Sequence, residues 1–448
     1  MYPQFGLAVF ALEINGEDGF CTNSQPLIRL QLTIIFFFIL DYTLEMEITR
    51  TAEAAITKTI FKIVLGLPRC RPCERSKDMK FSCERAILNE AVNAAVKAVS
   101  AKSNVSTLEG LLLVAENDLK ITGYNLEVGI TATLDADIIR QGSIVLNAKM
   151  FSDILRKLPD NIVSIETDDN LYTTIKCETT VYNIFGLDAA DFPEMPQFEQ
   201  EQSFKMPQEQ LKEMINKTVF AVSTNINKLI HTGSLFEIES GMVTVVSVDG
   251  YRLAMCKNKI EGGQAVSFVV PGNTLKELEK LLVAKEEPVE VFLGKRHILF
   301  ILDNITLISR LLEGEFLNYK NAIPAQHNFE ISVDVPVIIS NVDRVSLMVV
   351  EKAKMPIKCV FEEDILKLSC ITSTGKSYAE CFVGGNGGGI EIGFDKNYLL
   401  DAFKAIPDKE AVLCLGTNIS PCVIRPLEGE DYLYLVLPIR LKTEESAN

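Results

Sequence analysis

The sequence predicts an α+β chain of three repeated domains, each with two helices packed on antiparallel sheets. Two observations carry this. First, a short strand running into a helix opens at Met79 (MKFSCERAILNEAVNAAVKAVS), at Ser203 (SFKMPQEQLKEMINKTVFAVS) and at Glu330 (EISVDVPVIISNVDRVSLMVV), spaced 124 and 127 residues apart. Second, each unit contains another strand-helix segment, at Gly142, Ser267 and Glu391, which starts 63, 64 and 61 residues after its partner. A period this long marks a domain rather than a solenoid turn.

The elements follow in order. In the first helix of unit one, Leu88, Val92, Ala95, Val96 and Val99 share one face at the helical period. Leu211, Ile215, Thr218 and Val222 do so in unit two, and Ile338, Val342, Val345 and Val349 in unit three. The second helices repeat the pattern with Met150, Ile154 and Leu158, and with Leu275, Leu278 and Leu282. Between helices, Leu171–Ile184 and His297–Leu311 alternate apolar and polar residues, the signature of half-buried antiparallel strands. Each unit closes on a related strand, IFGLDAADFP at Ile184, SRLLEGEFLN at Ser309 and YLVLPIR at Tyr434. The glycines of Gly384–Gly389 lack the Lys-Ser/Thr of a phosphate loop and read as a flexible hairpin.

Residues 1–78 share nothing with the repeats and read as a non-homologous extension, with Met79 as the expected natural start. Domain boundaries are expected at 79–200, 201–325 and 326–448. The apolar run Leu32–Leu40 is too short to cross a bilayer and lacks the setting of a secretory signal, so no membrane association and a cytoplasmic location are expected. Eleven cysteines without framework spacing read as reduced thiols, and the lone Cys70/Cys73 pair is a weak metal signal.

Chemistry has little to work with. The three histidines (His231, His297, His327) form no metal motif, and no nucleophile elbow or Walker loop is present, which argues against an enzyme, a bound metal or a cofactor. A net charge of −16 argues against a face that grips nucleic acid, because backbone affinity comes from Lys and Arg displacing counterions. Any DNA contact must be local or topological.

Segments in order across Met79–Leu441 resemble one family: KTVFAVST at Lys217, VDGYRLAM at Val248, IEIGF with YLLDA at Ile390–Ala402, and the ending VLPIRL at Val436. The chain is similar to the bacterial DNA polymerase III β subunit, the sliding clamp. That resemblance implies the DNA-clamp fold, a head-to-tail homodimeric ring with helices lining the hole, and double-stranded DNA threaded through it without sequence preference. It also implies recruitment of the DNA polymerase III α subunit, the clamp loader, other polymerases and repair proteins through short linear motifs. A topological link needs only weak phosphate attraction, which reconciles the acidic chain with DNA. The helix cations Lys149, Arg156, Lys157, Lys212, Lys217, Lys276, Lys280 and Arg344 are candidates for the inner surface, alongside Arg85, Lys97, Lys396 and Lys404. Turns after the first helices add Lys102, then Asn225 and Lys228, then Lys352 and Lys354. An ordinary solvated helix face explains any one of these equally well.

Unit two departs from its sister repeats at Val248–Leu253, which points to a local task there. Carried over residue by residue, the family's peptide pocket comprises His231, Val248, Gly250, Tyr251, Arg252, Leu253, Leu317, Ala322, Leu435, Val436, Leu437, Pro438, Ile439 and Arg440. Tyr251 stands where His is usual, Leu317 where Pro is frequent and His231 where Leu is usual, which shifts the preferred peptide. The rival reading is a divergent clamp-like scaffold that binds peptides without being loaded on DNA.

Overall fold

The structure, a computed structural model, describes residues 78–441 except 101, 261–263, 284, 286 and 350–354. The 1–77 extension, the Cys70/Cys73 pair, Lys352, Lys354 and the tail from residue 442 lie outside the described residues. Six α-helices occur among them: α1 (Arg85–Ala95), α2 (Ala148–Lys157), α3 (Gln208–Thr218), α4 (Gly272–Glu279), α5 (Val335–Ser346) and α6 (Lys396–Lys404). They pack as three neighbouring pairs, one pair per repeat. Local chemistry starts three of them: Asn147, Asp334 and Asp395 each accept hydrogen bonds from the backbone N–H groups of the first turn, which satisfies donors the helix itself leaves unpaired.

The strands form four antiparallel sheets, and the two larger ones cross the repeat boundaries. One eight-stranded sheet joins units one and two where Ile305–Ser309 pairs with Val128–Ala132. The other joins units two and three where Arg252–Cys256 pairs with Tyr432–Val436. The remaining sheets stand at the two ends: five strands in unit one with Thr180–Phe185 at one edge, and four in unit three with Gly375–Phe382 at one edge. Three apolar cores, one per repeat, sit between helices and sheets.

Several expectations change in detail. Helix α1 ends at Ala95 and the chain tightens into a 3₁₀ turn at Val96–Ala98, so Val99 falls outside the helix; Val222 and Val349 likewise follow their helices. Met150 is 50% exposed, whereas Ile154 and Leu158 are buried with Phe151 and Leu155. The buried stripe of α2 therefore keeps Ile154 and Leu158, gains Phe151 and Leu155, and leaves out Met150. Gly384–Gly389 is not a hairpin. It links strands Gly375–Phe382 and Ile390–Phe394, which occupy opposite edges of the four-stranded sheet. On the way Gly384 bridges to Ser332, and Gly389 donates to the Phe361 carbonyl. A Cβ at Gly387 would run into the Phe361 side chain and carbonyl, so glycine is required there by close approach. The eight described cysteines are all buried, free thiols; burial pushes Cys83 and Cys256 up to about 12, so neither is a reactive thiolate.

Candidate functional site

The residues singled out in unit two lie at the junction with unit three. Strand Met242–Val248 turns through Asp249–Tyr251 into Arg252–Lys259. Asp249 fixes that turn, its Oδ1 accepting from the Tyr251 and Arg252 backbone N–H groups at 2.9 and 3.0 Å. Gly250 has φ +93°, a conformation that side chains resist, and a Cβ there would meet nothing within 4 Å. Conformation, not space, selects glycine here.

Arg252 is a junction anchor. Its side chain donates to Asp249 Oδ2 at 2.8 Å, to Asp401 Oδ2 of α6 at 2.6 Å and to the Phe220 carbonyl at 2.7 Å, with its guanidinium 4.7 Å from the Tyr398 ring centroid. Planar, fork-shaped and always charged, guanidinium suits three such partners at once. Tyr251, 60% exposed, stacks on Tyr398 at 6.0 Å. The closing segment completes the site: Leu437 N–H donates to the Tyr251 carbonyl at 2.9 Å, and Ile439 N–H to the Gly393 carbonyl at 2.7 Å.

Beneath this rim lies an apolar cluster in which Val248, Leu253, Leu435, Tyr319, Cys414 and Val423 are buried, with Ile230, Phe316 and Leu437 half-buried at its top. Val436 is buried in the unit-three core instead. Leu317, Ala322, Gly250 and Arg440 are exposed, while Pro438 and Ile439 are half-buried. The expected pocket residues thus divide into floor (Val248, Leu253, Leu435), anchor (Arg252), core (Val436) and surface. Sequence reasoning missed Phe316, Tyr319 and Tyr398, and the available signal was the YLLDA segment that contains Tyr398.

His231 packs edge-on against Phe316 at 5.4 Å. Burial, and secondarily the nearby Lys228 charge, hold its pKa below the ordinary 6.5. A depressed folded-state pKa means that below about pH 6.5 the unfolded chain takes up the proton more readily, so this contribution to stability is present at neutral pH and is lost as pH falls. His231→Phe is expected to lose less stability than the parent chain between pH 7 and pH 5.5, measured as the difference between their urea midpoints; parallel slopes would remove His231 from the effect.

The candidate inner-face cations separate as well. Lys217 is buried, paired with Glu213 at 2.6 Å and lying over the Tyr432 ring, which takes it out of any DNA-facing set. Arg85 pairs with Asp160, Arg156 with Asp153, Lys212 with Glu279 and Lys280 with Glu277. Arg344 bonds within its own helix, and Lys97 donates to the Asn93 carbonyl. Lys102, Lys149, Lys157, Asn225, Lys228, Lys276 and Lys404 are exposed, and Lys396 is half-buried. No helix among the described residues is long and apolar enough to cross a membrane.

Comparison with known proteins places this architecture. Residues 79–196 match the N-terminal domain of the DNA polymerase III beta subunit, 205–318 its central domain and 320–440 its C-terminal domain. The beta sliding clamp of Halalkalibacterium halodurans is 32% identical over 81% of this chain and 100% of its own length. That of Bacillus subtilis is 31% identical, with the same coverage. Among solved structures, a putative DNA polymerase III beta subunit from Eubacterium rectale superposes with a TM-score of 0.77 at 34% identity, covering 81% of this chain and all of that one. The Bacillus subtilis sliding clamp gives 0.78 at 30%, over 82% of this chain and all of the other. With three consecutive domain matches and relatives aligned over their whole length, the threefold repeat described above belongs to the DNA polymerase III beta subunit family, the beta sliding clamps.

Proposed function

We propose that this chain is a non-enzymatic processivity factor: two copies close head to tail into a ring around duplex DNA, and the pocket between units two and three tethers the DNA polymerase III α subunit, the clamp loader and other partners. One observation carries the ring. Units one and two, and units two and three, are joined by continuous sheets, yet the outermost sheets end in the unpaired strands Thr180–Phe185 and Gly375–Phe382. Phe185 and Phe382 are 76% and 80% exposed, and a free sheet edge presents unpaired backbone groups ready to pair with another chain.

The repeats supply the partner. Leu187, Leu312 and Ile439 make the same bridge in their respective units, so Tyr182 is the counterpart of Leu307 and Tyr434. Those two pair with Ile130 and Ala254 of the neighbouring repeat. The same register carried to the free edges sets Tyr182 opposite Ser377 of a second copy. Phe220, just after α3, packs on Tyr434 at 5.5 Å. Its counterparts after α5, Leu347 and Met348, are 84% and 37% exposed. An open depression of about 440 Å³ beside Tyr182 and Met150, rimmed by Asn147, Lys149 and Asp153, offers a second copy a place for an apolar group. One edge of each kind per copy gives a heterologous contact that closes at two copies or propagates.

In this reading domains 79–200, 201–325 and 326–448 line the hole with their helices, and the exposed Lys102, Lys149, Lys157, Asn225, Lys228, Lys276 and Lys404 face the phosphates, with Arg156, Lys280 and Arg344 beside them. Weak contacts suffice because linkage, not affinity, holds the ring, and tethering raises the effective concentration of polymerase at the primer end. The deciding experiment loads the protein on nicked circular plasmid with a bacterial clamp loader and ATP. Retention on circles at high salt, lost on linearisation, is the expected result. Failure of retention with a loader that loads a control clamp would favour a peptide-binding scaffold.

A further inference from the structure

A second cluster lies at the unit-three edge of the eight-stranded sheet that joins units two and three. Glu330 on strand Phe329–Asp334 pairs directly with Cys414 on strand Glu410–Leu415, and His327 lies just before that strand. His327 Nε2 is 2.7 Å from Glu330 Oε1, and one ligand atom from each of His327, Glu330 and Cys414 lies within 4.8 Å of the other two. Next to them a cavity of about 220 Å³ is bounded by His327, Cys414, Gln326, Ser420 and Val423. Cys414 and Val423 belong to the apolar cluster beneath the rim, whereas His327 and Glu330 are exposed.

We propose that His327, Glu330 and Cys414 form a binding site for a borderline-soft divalent cation, with zinc as the fitting class. One imidazole nitrogen, one carboxylate oxygen and one sulfur match zinc's preference, whereas magnesium and calcium demand oxygen cages. Tetrahedral zinc with bonds of about 2.0 to 2.3 Å keeps its ligand atoms roughly 3.5 Å apart, so the side chains need shift by about 1 Å. Three protein ligands leave the fourth position open toward the cavity. Binding moves the Cys414 proton to solvent and leaves a thiolate on the metal.

Arg425 is the competing cation. Its Nη2 is 3.1 Å from Glu330 Oε1. The guanidinium stabilises the metal-free cluster and, being a third exposed, swings to solvent when a cation enters.

Cobalt(II) chloride titrated into the reduced full-length protein serves as the probe, since thiolate ligation gives a near-ultraviolet charge-transfer band. The expected result is a saturating band that zinc abolishes, that Cys414→Ser eliminates and whose midpoint His327→Ala raises about tenfold or more. An absent band, or one that survives Cys414→Ser, overturns the site. Should Cys414→Ser fail to fold, Arg425→Gln decides: tighter cobalt binding supports the site, and unchanged or weaker binding overturns it.

Discussion

Leu347→Asp is expected to convert the dimer into monomers, read as a halved mass by light scattering coupled to gel filtration. Among the described residues Leu347 is the most exposed large apolar side chain, standing after α5 where Phe220 stands after α3, and Phe220 packs on a neighbouring repeat. Placing a carboxylate there would bury an unpaired charge in the contact, and loss of a central apolar anchor costs about 2 to 4 kcal/mol, or roughly 30- to 1,000-fold in dissociation constant. The monomer should keep its thermal midpoint, because the residue already faces solvent in a single chain. A Tyr182→Cys/Ser377→Cys double variant tests the same contact in the opposite direction. Oxidation should join copies covalently at the register taken from the internal junctions. A parent protein that is monomeric at micromolar concentration, or a Leu347→Asp protein that remains dimeric, would remove the contact and with it the closed ring.

The second large effect concerns the pocket. Tyr251→Ala combined with Leu437→Ala is expected to weaken binding of a fluorescent clamp-binding peptide by about 100-fold in an anisotropy titration, since each removes apolar contact worth roughly 1 to 2 kcal/mol. Tyr251 is mostly exposed and Leu437 half-buried, so both can be truncated while the floor of Val248, Leu253 and Leu435 stays in place. The dimer should persist, its edge strands lying at the far ends of the chain. Equal peptide affinity in parent and variant would move the binding site elsewhere. Arg252 is a poor probe for this purpose: removing it strands Asp249 and Asp401 at the junction and confounds affinity with stability.

Periodicity in this chain was enough to reveal the repeats. Leu88, Leu211 and Ile338 recur at matching points of three helices, and the alternation in Leu171–Ile184 marks a strand pair. These signals are local, because a helix or strand buries one face whatever lies beyond it. The departure of Val248–Leu253 from its sister segments likewise flagged the turn that carries Gly250 and Tyr251. Side-chain roles were less legible. Arg252 became an anchor because Asp401, 149 residues later, folds against it. Lys217, outwardly one more helix cation, is buried because Glu213 and Tyr432 close over it. Met150 carries the apolar pattern of a core residue yet is exposed, since Phe151, Ile154 and Leu155 take the buried face of its helix. The sequence by itself determined the repeated unit, its helices and strands and the acidic character of the body. Tertiary structure alone decided which strands join across repeats and which stand at sheet edges, because pairing partners far apart in the chain are set by sheet register and core packing rather than by any local preference.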